Sequence, residues 1–541
     1  MYECPNCNGN LKFYIPTQML RCDYCNTEMD PYAFQKERDA VEDSYFETTV
    51  FTCPECGGEL LSTDNEATAF CSFCGGATIL DSRISREKRP DSILPFRKTK
   101  EDCKEAYIAM MRHAPFTPKA FKKIEHIDGF RGIYMPYWIY HISQKGFIGL
   151  DGKRQHRSGN YIITDSYDLT GYLDAEYDGL SRDASSSFAD NMSEAIAPFD
   201  VNKRKPFTPS FLSGFYADTA DVDHKLYQND VAGIATAATM KELFKVREFG
   251  IYLPEGGAVN ENVARKLNTR VESVERAMFP VWFLSYRNGD RIAYATVNGQ
   301  TGKVAADLPV DPKRYLLGSL LLAVPIFLLL HLFLTLRPTL LLAIASILAL
   351  VTLLLYSAEL TQIIRRDSGE DDKGLLFRKK GSVSAVNDAV GKKGFESNVI
   401  PFKDVEKAAS NSFVKIMFRI VFFMWLFPFI FTFLWNALVA PSILCIVLLI
   451  AGVIMSVTCH RKLGKLSISK KRYGYIGSTA ALIIAAAIFW INPVADAYYY
   501  GGAVATIFAV FFTISNLIYY YNILATRKLP QFDRSGGDDR A

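Results

Sequence analysis

The sequence predicts a multidomain membrane protein: two small β zinc ribbons, an α+β middle domain and an all-α six-helix transmembrane region. Three observations predict it. Eight cysteines before residue 75 follow a duplicated spacing, residues 82–312 have ordinary globular composition, and residues 315–524 hold long apolar runs. At 541 residues the chain is too long for one ordinary domain. Its formal net charge of +4 averages over segments that differ strongly in charge.

The first ribbon is expected at 1–30, where Cys4-Pro5-Asn6-Cys7 is followed by Cys22-Asp23-Tyr24-Cys25. After a linker at 31–50, the second ribbon at 51–81 repeats the pattern with Cys53-Pro54-Glu55-Cys56 and Cys71-Ser72-Phe73-Cys74. Fourteen residues separate the C-x-x-C pairs in both, and the two sets are offset by 49 residues. Each C-x-x-C forms a knuckle that aims two thiolates at one ion, and two knuckles complete a tetrahedron. The residue after each knuckle needs a positive φ, which suits Gly57 and Gly75 and is tolerated by Asn8 and Asn26. Leu11–Ile15 and Leu60–Ser62 read as short strands. A redox dithiol would normally occur once, near a βαβ pattern, so the duplicated spacing favours two structural Zn²⁺ over redox or iron–sulfur chemistry. A closed four-thiolate site leaves no coordination position for catalysis. The remaining cysteines, Cys103, Cys445 and Cys459, are scattered.

Zinc ribbons often touch nucleic acid, and charge argues against that here. Residues 1–80 carry four Lys or Arg against thirteen Asp or Glu. Phosphate binding needs a basic face, so an acidic pair of ribbons reads as a protein-docking module. A solvated acidic surface that docks nothing is the plainer alternative.

Six apolar segments, at about 315–336, 338–357, 416–435, 437–458, 474–491 and 501–524, each approach the ~20 residues a helix needs to cross a membrane. They pair into hairpins at 315–357, 416–458 and 474–524. Basic loops at 358–415 and 459–473 separate the hairpins, and a tail follows at 525–541. Lys and Arg concentrate in those loops and that tail, while the three opposite loops hold only Arg337. This asymmetry predicts a multi-pass cell-membrane protein with both termini cytosolic. Reduced thiols require the same side for the ribbons. Met1 is followed by Tyr2-Glu3-Cys4 without a basic head or apolar core, so the later segments are expected to drive insertion. Arg419 and His331 read as boundary residues. Pro325 and Pro428 could kink two spans, but the sequence shows no carboxylate beside them to mark a translocation path.

In the middle domain, Lys100–Arg112 reads as a helix, Tyr134–Ile142 as a strand, Glu261–Ala277 as a second helix and Met278–Tyr286 as another strand. Ile292–Val297 runs into an Asn298-Gly299 hairpin turn. Pro136-Tyr137-Trp138 and Pro280-Val281-Trp282 suggest a duplicated unit. Gly299–Val304 fails the phosphate-loop spacing and places Val304 where a hydroxyl is required, so no nucleotide site is expected. The seven histidines lack ligand spacing, and His141 reads as a packed residue. No residue pattern points to an enzyme.

The ribbons, Ile93-Leu94-Pro95-Phe96, the Gly132–Trp138 strand, Phe279-Pro280-Val281-Trp282 and the Val297–Lys303 turn together resemble the TFIIB-type zinc-ribbon membrane proteins of Gram-positive bacteria. The likeness covers roughly residues 1–315. It implies TPM-domain, SPFH/flotillin-type or PspA-type protein partners and a role in membrane stress or membrane organisation. The leading expectation is therefore a membrane-anchored scaffold recruiting cytosolic proteins, in contact with the lipid bilayer. The alternatives are a transporter or lipid-handling protein with regulatory ribbons, and a membrane-tethered nucleic-acid binder.

Overall fold

A computed structural model describes residues 3–33, 45–62, 71–76, 81–123, 127, 129–158, 161–247, 249, 261–333, 337–390, 441–466, 468 and 470–528. Ribbon 1 is a three-stranded antiparallel sheet of β1 (Leu11–Tyr14), β2 (Met19–Cys22) and β3 (Glu28–Met29) in that order. Period-two alternation turns Leu11 and Phe13 inward and Lys12 and Tyr14 outward.

Ribbon 2 is built differently. Its strands are β4 (Tyr45–Thr52), β5 (Glu59–Ser62) and β6 (Asp81–Lys88), with β4 central and antiparallel to both neighbours. β4 starts within the stretch read as a linker. The ribbon is joined to the middle domain through the short strand β11 (Tyr216–Ala217). Tyr216 lies opposite Ser62 on β5 and opposite Ile133 on β8 (Arg131–Ser158). The result is one twelve-stranded sheet. Its central path also includes β7 (Ser92–Ile93), β10 (Lys205–Pro206) and β12 (Thr269–Asn288). β9 (Tyr161–Asp183) pairs with β8, while β13 (Arg291–Asn298) pairs with β12, β14 (Val304–Ala306) and β15 (Arg527–Lys528). Pairing is mostly antiparallel, with parallel steps at β11–β8 and β12–β7.

Helix α1 (Lys100–Arg112) has the predicted bounds and a capping box between Thr99 and Asp102. The expected helix over 261–277 is a correction. Only α4 (Glu261–Lys266) is helical, after α2 (Asp190–Ile196) and α3 (Gln228–Leu243), and the rest belongs to β12. The physical reason is a β-bulge between Val271 and Ser273. The extra residue lets Val271 and Val274, three apart, pack on the same core, so the apolar spacing imitates a helix. Trp138 and Trp282 occupy matching roles on adjacent strands. Their indole N–H groups donate to the carbonyls of Val222 and Lys98, each at 2.9 Å.

The membrane half comprises α5 (Pro312–Phe333), α6 (Pro338–Ser368), α7 (Lys373–Lys380), α8 (Val383–Val390), α9 (Pro441–Lys465), α10 (Tyr475–Ile491) and α11 (Asp496–Leu524). Among the described residues, four helices (α5, α6, α9, α11) are long and apolar enough to cross a membrane, and α10 is a shorter apolar helix of 17 residues. The expected span at 416–435, with Arg419 and Pro428, lies outside the described residues. α6, α9, α10 and α11 pack together. α6 runs to Ser368, well past the expected end at 357. The basic segment after it packs on the middle domain: Leu376 and Val386 share a core with Tyr140, Leu226 and Val231.

Candidate metal centres

All four C-x-x-C knuckles close with one backbone pattern. The amide after each pair donates to the first cysteine's carbonyl: Asn8 to Cys4 at 2.8 Å, Asn26 to Cys22 at 3.0 Å, Gly57 to Cys53 at 2.8 Å and Gly75 to Cys71 at 2.9 Å. Each turn requires a left-handed residue, and φ is 57° at Asn8, 59° at Asn26, 74° at Gly57 and 67° at Gly75. Gly9 has a separate reason to lack a side chain. A Cβ there would lie 2.5 Å from the Tyr24 ring, 3.0 Å from Cys22 Sγ and 3.2 Å from Cys7 Sγ.

The structure brings together every predicted ligand. Cys4, Cys7, Cys22 and Cys25 form one cluster and Cys53, Cys56, Cys71 and Cys74 the other, with the sulfurs of each mutually within 4.8 Å. The Cys4–Cys25 and Cys7–Cys22 separations are 3.5 and 3.4 Å. Those of Cys53–Cys74 and Cys56–Cys71 are 3.7 and 3.8 Å. A tetrahedron with Zn–S of about 2.3 Å has edges of about 3.8 Å, so both clusters fit a four-thiolate Zn²⁺. Their electrostatics ask for a cation. The Thr27 hydroxyl holds the Cys25 thiol down to about 6. Cys7, despite the Gly9 amide, is pushed up to about 12 by the neighbouring Cys25 and Cys22 sulfurs. Four sulfurs this close keep protons among themselves unless a metal replaces those protons. Among the described residues no other group of three or more His, Cys, Asp or Glu side chains gathers in this way.

The two centres differ in exposure. In ribbon 1, Cys4 and Cys22 are buried while Cys7 is exposed. Phe13 packs on Phe211 with ring centroids 5.1 Å apart, and the Gln18 amide donates to the Phe96 carbonyl at 2.8 Å, so this ribbon sits on the middle domain by one face. In ribbon 2 all four cysteines are buried. Phe73, between two of the ligands, meets Phe283 of β12, and Tyr294 of β13 donates its hydroxyl to the Phe73 carbonyl. Glu55, inside the other knuckle, pairs with Arg287. The second centre is thus part of the main sheet.

Other residues singled out in the sequence have structural partners. His141 Nδ1 lies 2.7 Å from Asp178 and its Nε2 3.3 Å from Glu275, as part of cross-strand packing. The Asn298–Lys303 turn is closed by the Asn298 side chain, which accepts from the amides of Gln300 and Thr301 at 2.9 and 3.0 Å. Lys303 Nζ donates to the Ala197 carbonyl. Cys103 and Cys459 are buried and belong to neither four-cysteine group.

Sequence reasoning missed a buried acidic group where the chain crosses from membrane helix to soluble sheet. Burial, reinforced by Asp372, pushes Asp190 up to about 8. Burial likewise pushes Asp372 up to about 6 and Asp183 well above the usual carboxylate range. Asp190 accepts from the Tyr227 hydroxyl at 2.7 Å and from the Lys373 amide at 2.8 Å, while Lys373 Nζ bonds Asp230 at 2.7 Å. Asp183 and Asp372 are far apart in the chain, so no local motif announces the group. Between the helices, the hydroxyl of Ser478 bonds those of Thr352 and Thr513, each at 2.9 Å, and Glu359 is buried in α6.

The chain has a distant relative. The chain is 26% identical over 316 residues to the uncharacterized protein YdjG of Bacillus subtilis (strain 168), an alignment covering 57% of this chain and 90% of that protein. No family model matches the chain. No solved structure matches it.

Proposed function

We propose that the protein is a membrane-anchored zinc-ribbon scaffold that recruits cytosolic proteins through ribbon 1, in membrane stress or membrane organisation. The observation that carries this reading is the unlike exposure of two otherwise equivalent centres. Ribbon 2 is buried in the sheet and serves as a staple. Ribbon 1 is docked by one face and turns the other to solvent, with Asp23, Glu28 and Tyr24 exposed, Tyr24 at 80%. A metal-fixed loop presenting an aromatic among acids is a preformed surface, which lowers the ordering cost of binding. Its charge suits a partner with a basic face and disfavours phosphate backbones.

In this reading six spans anchor the chain in the cell membrane with both termini cytosolic and zinc in both centres. The partners expected from the resemblance are TPM-domain, SPFH-type or PspA-type proteins. Because ribbon 2 shares the main sheet, deleting the whole N-terminal segment would damage the fold. The cleaner test reverses the ribbon 1 surface with Asp23→Lys, Tyr24→Ala and Glu28→Lys in the full chain. A tagged SPFH-type or PspA-type protein should then leave the membrane in cells while two zinc ions per chain are retained. Unchanged partner localisation with zinc retained would reject ribbon 1 as the recruiter. Tight, salt-sensitive DNA binding by the unaltered protein would favour the nucleic-acid reading instead.

A further inference from the structure

β8 and β9 form a hairpin far longer than the sheet needs. The two strands are paired from Tyr137↔Asp183 to Ser158↔Tyr161, but β12 covers β8 only as far as Gln144. Beyond that point an arm of two strands continues to Ser158, about 45 Å at roughly 3.3 Å per residue. It leads away from the helices, because the opposite end of the sheet is the one held to them. There Arg291 donates to the carbonyls of Ile523 and Thr526 at 2.6 and 2.7 Å. Helices α3 and α4 support the base of the arm through Ile148 and Leu150. From Asp151 outward, most side chains on both strands are exposed.

Three features set this arm apart from an ordinary loop. No proline interrupts either of its edges, there being none between Pro136 and Pro198. It displays apolar side chains: Phe147 and Tyr172, directly opposite one another, are 70% and 79% exposed, and Tyr161 and Ile162 are 78% and 72% exposed. Its two strands also carry opposite charge. Over 145–158, β8 holds Lys145, Lys153, Arg154 and Arg157 against Asp151 alone. Over 161–181, β9 holds Asp165, Asp168, Asp174, Glu176 and Asp178 and no Lys or Arg. Some of these charges already meet within the arm, as Lys145 does with Asp174 at 3.7 Å. Among the described residues, β9 pairs with no strand except β8.

We infer that the arms of neighbouring copies of this chain pair edge to edge, the basic β8 of one against the acidic β9 of the next. Topology and charge select this arrangement together. Copies anchored in one membrane point their arms the same way. β8 runs outward and β9 runs back, so β8 beside a neighbour's β9 is antiparallel and joins opposite charges. Pairing β9 with β9, or β8 with β8, would be parallel and would set like charges side by side. The contact is head-to-tail, so it repeats and yields a ring or a row of copies rather than a closed pair. It also covers the outer ribbon, which is marginal as two strands alone. This assembly stands independently of the recruitment proposed above.

The test uses full-length protein in nanodiscs or native membranes. Over the outer part of the arm, 151–158 and 161–168, Lys153→Glu with Arg154→Glu makes both strands acidic, and Asp165→Lys with Asp168→Lys makes both basic. The unaltered protein should self-associate, each reversed form alone should associate at least about tenfold more weakly, and a mixture of the two should recover association through unlike copies. A second pair of variants reads the contact directly. Arg154 and Asp165 lie at one height, being opposite each other in the hairpin. With Arg154→Cys on one tagged copy and Asp165→Cys on a differently tagged copy, disulfides should join unlike tags in preference to like ones. If the reversed forms lose zinc, this cross-link decides alone. A monomeric unaltered protein would overturn the inference. So would zinc-retaining reversed forms that fail to rescue each other, preferential joining of like tags, or cross-linking of the arm only to a different protein.

Discussion

Tyr294 of β13 donates its buried hydroxyl to the carbonyl of Phe73, which lies between the candidate metal ligands Cys71 and Cys74. One hydrogen bond thus links the second cysteine cluster to β13, which also pairs with β15 after the last described helix. Tyr294→Phe keeps the ring packed against Phe283 and strands the carbonyl in the interior. The expected cost is about 1–3 kcal/mol, the penalty of an unsatisfied buried acceptor. Zinc should leave the second centre faster under a chelator while the first centre is unaffected. Equal release rates from the second centre in variant and parent would contradict this.

Total metal should be two zinc ions per chain, with no labile sulfide, by elemental analysis. The exposed Cys7 gives a chelator an entry that ribbon 2 denies, so the centres should empty in order, first then second. Cys7→Ser should loosen ribbon 1 alone. Cys71→Ser should lower the melting temperature of the whole soluble half, because its knuckle is packed in the main sheet. Simultaneous loss of both metals would contradict the ordering.

Asp190, Asp183 and Asp372 make the join between α7 and the middle domain sensitive to alkali. Their folded pKa values lie above the ordinary carboxylate value of about 3.9. A raised carboxylate favours the folded state while it keeps its proton, and that contribution is lost as pH rises through the folded value. For Asp190 the loss spans the range from about 4 to about 8. Docking of α7, read by a spin label at Lys379, should therefore loosen progressively as pH rises from about 4 to about 8. Asp190→Asn, which mimics the protonated acid, should flatten the response. A pH response undiminished in that variant would assign the effect elsewhere.

Orientation is open to labelling. Asp496, exposed at the start of α11, lies on the side opposite the basic loops. A cysteine-directed reagent added outside intact cells should reach Asp496→Cys, whereas a reporter after Ala541 should read cytosol. Labelling of the 459–473 loop from outside, with Asp496→Cys protected, would invert the topology.

Lys303→Ala offers a check on the turn that superficially resembles a phosphate loop. Its amine is engaged by the Ala197 carbonyl, so the substitution should lower stability by about 1 kcal/mol and alter no nucleotide chemistry. Nucleotide hydrolysis abolished by the change would show that the turn had been misread.

Legibility in the sequence followed the range over which each feature is determined. The knuckles are local, and both the ligand set and the left-handed residues Asn8, Asn26, Gly57 and Gly75 were readable from spacing alone. Helix Lys100–Arg112 was readable because its cap and its apolar face are also local. The fusion of ribbon 2 with the middle domain was not, because it turns on two-residue β11 meeting Ser62 and Ile133 from far along the chain. The β12 bulge disguised a strand as a helix. The outer arm escaped notice because exposure on both faces removes the alternation that marks a half-buried strand.

The clip between β15 and β13 also bears on how the protein is made. Arg291 waits for Thr526, 235 residues later, before its guanidinium and the strand edge at Ile292 find their partners. During synthesis the soluble sheet therefore stays unfinished until the final helix has emerged and threaded correctly. A copy stalled partway through insertion displays a bare edge and an unsatisfied arginine to the cell's proteases. Completion of the membrane half is thereby inspected from the soluble half, and truncation after Ala495 should leave the Asn288–Val310 region open to cleavage.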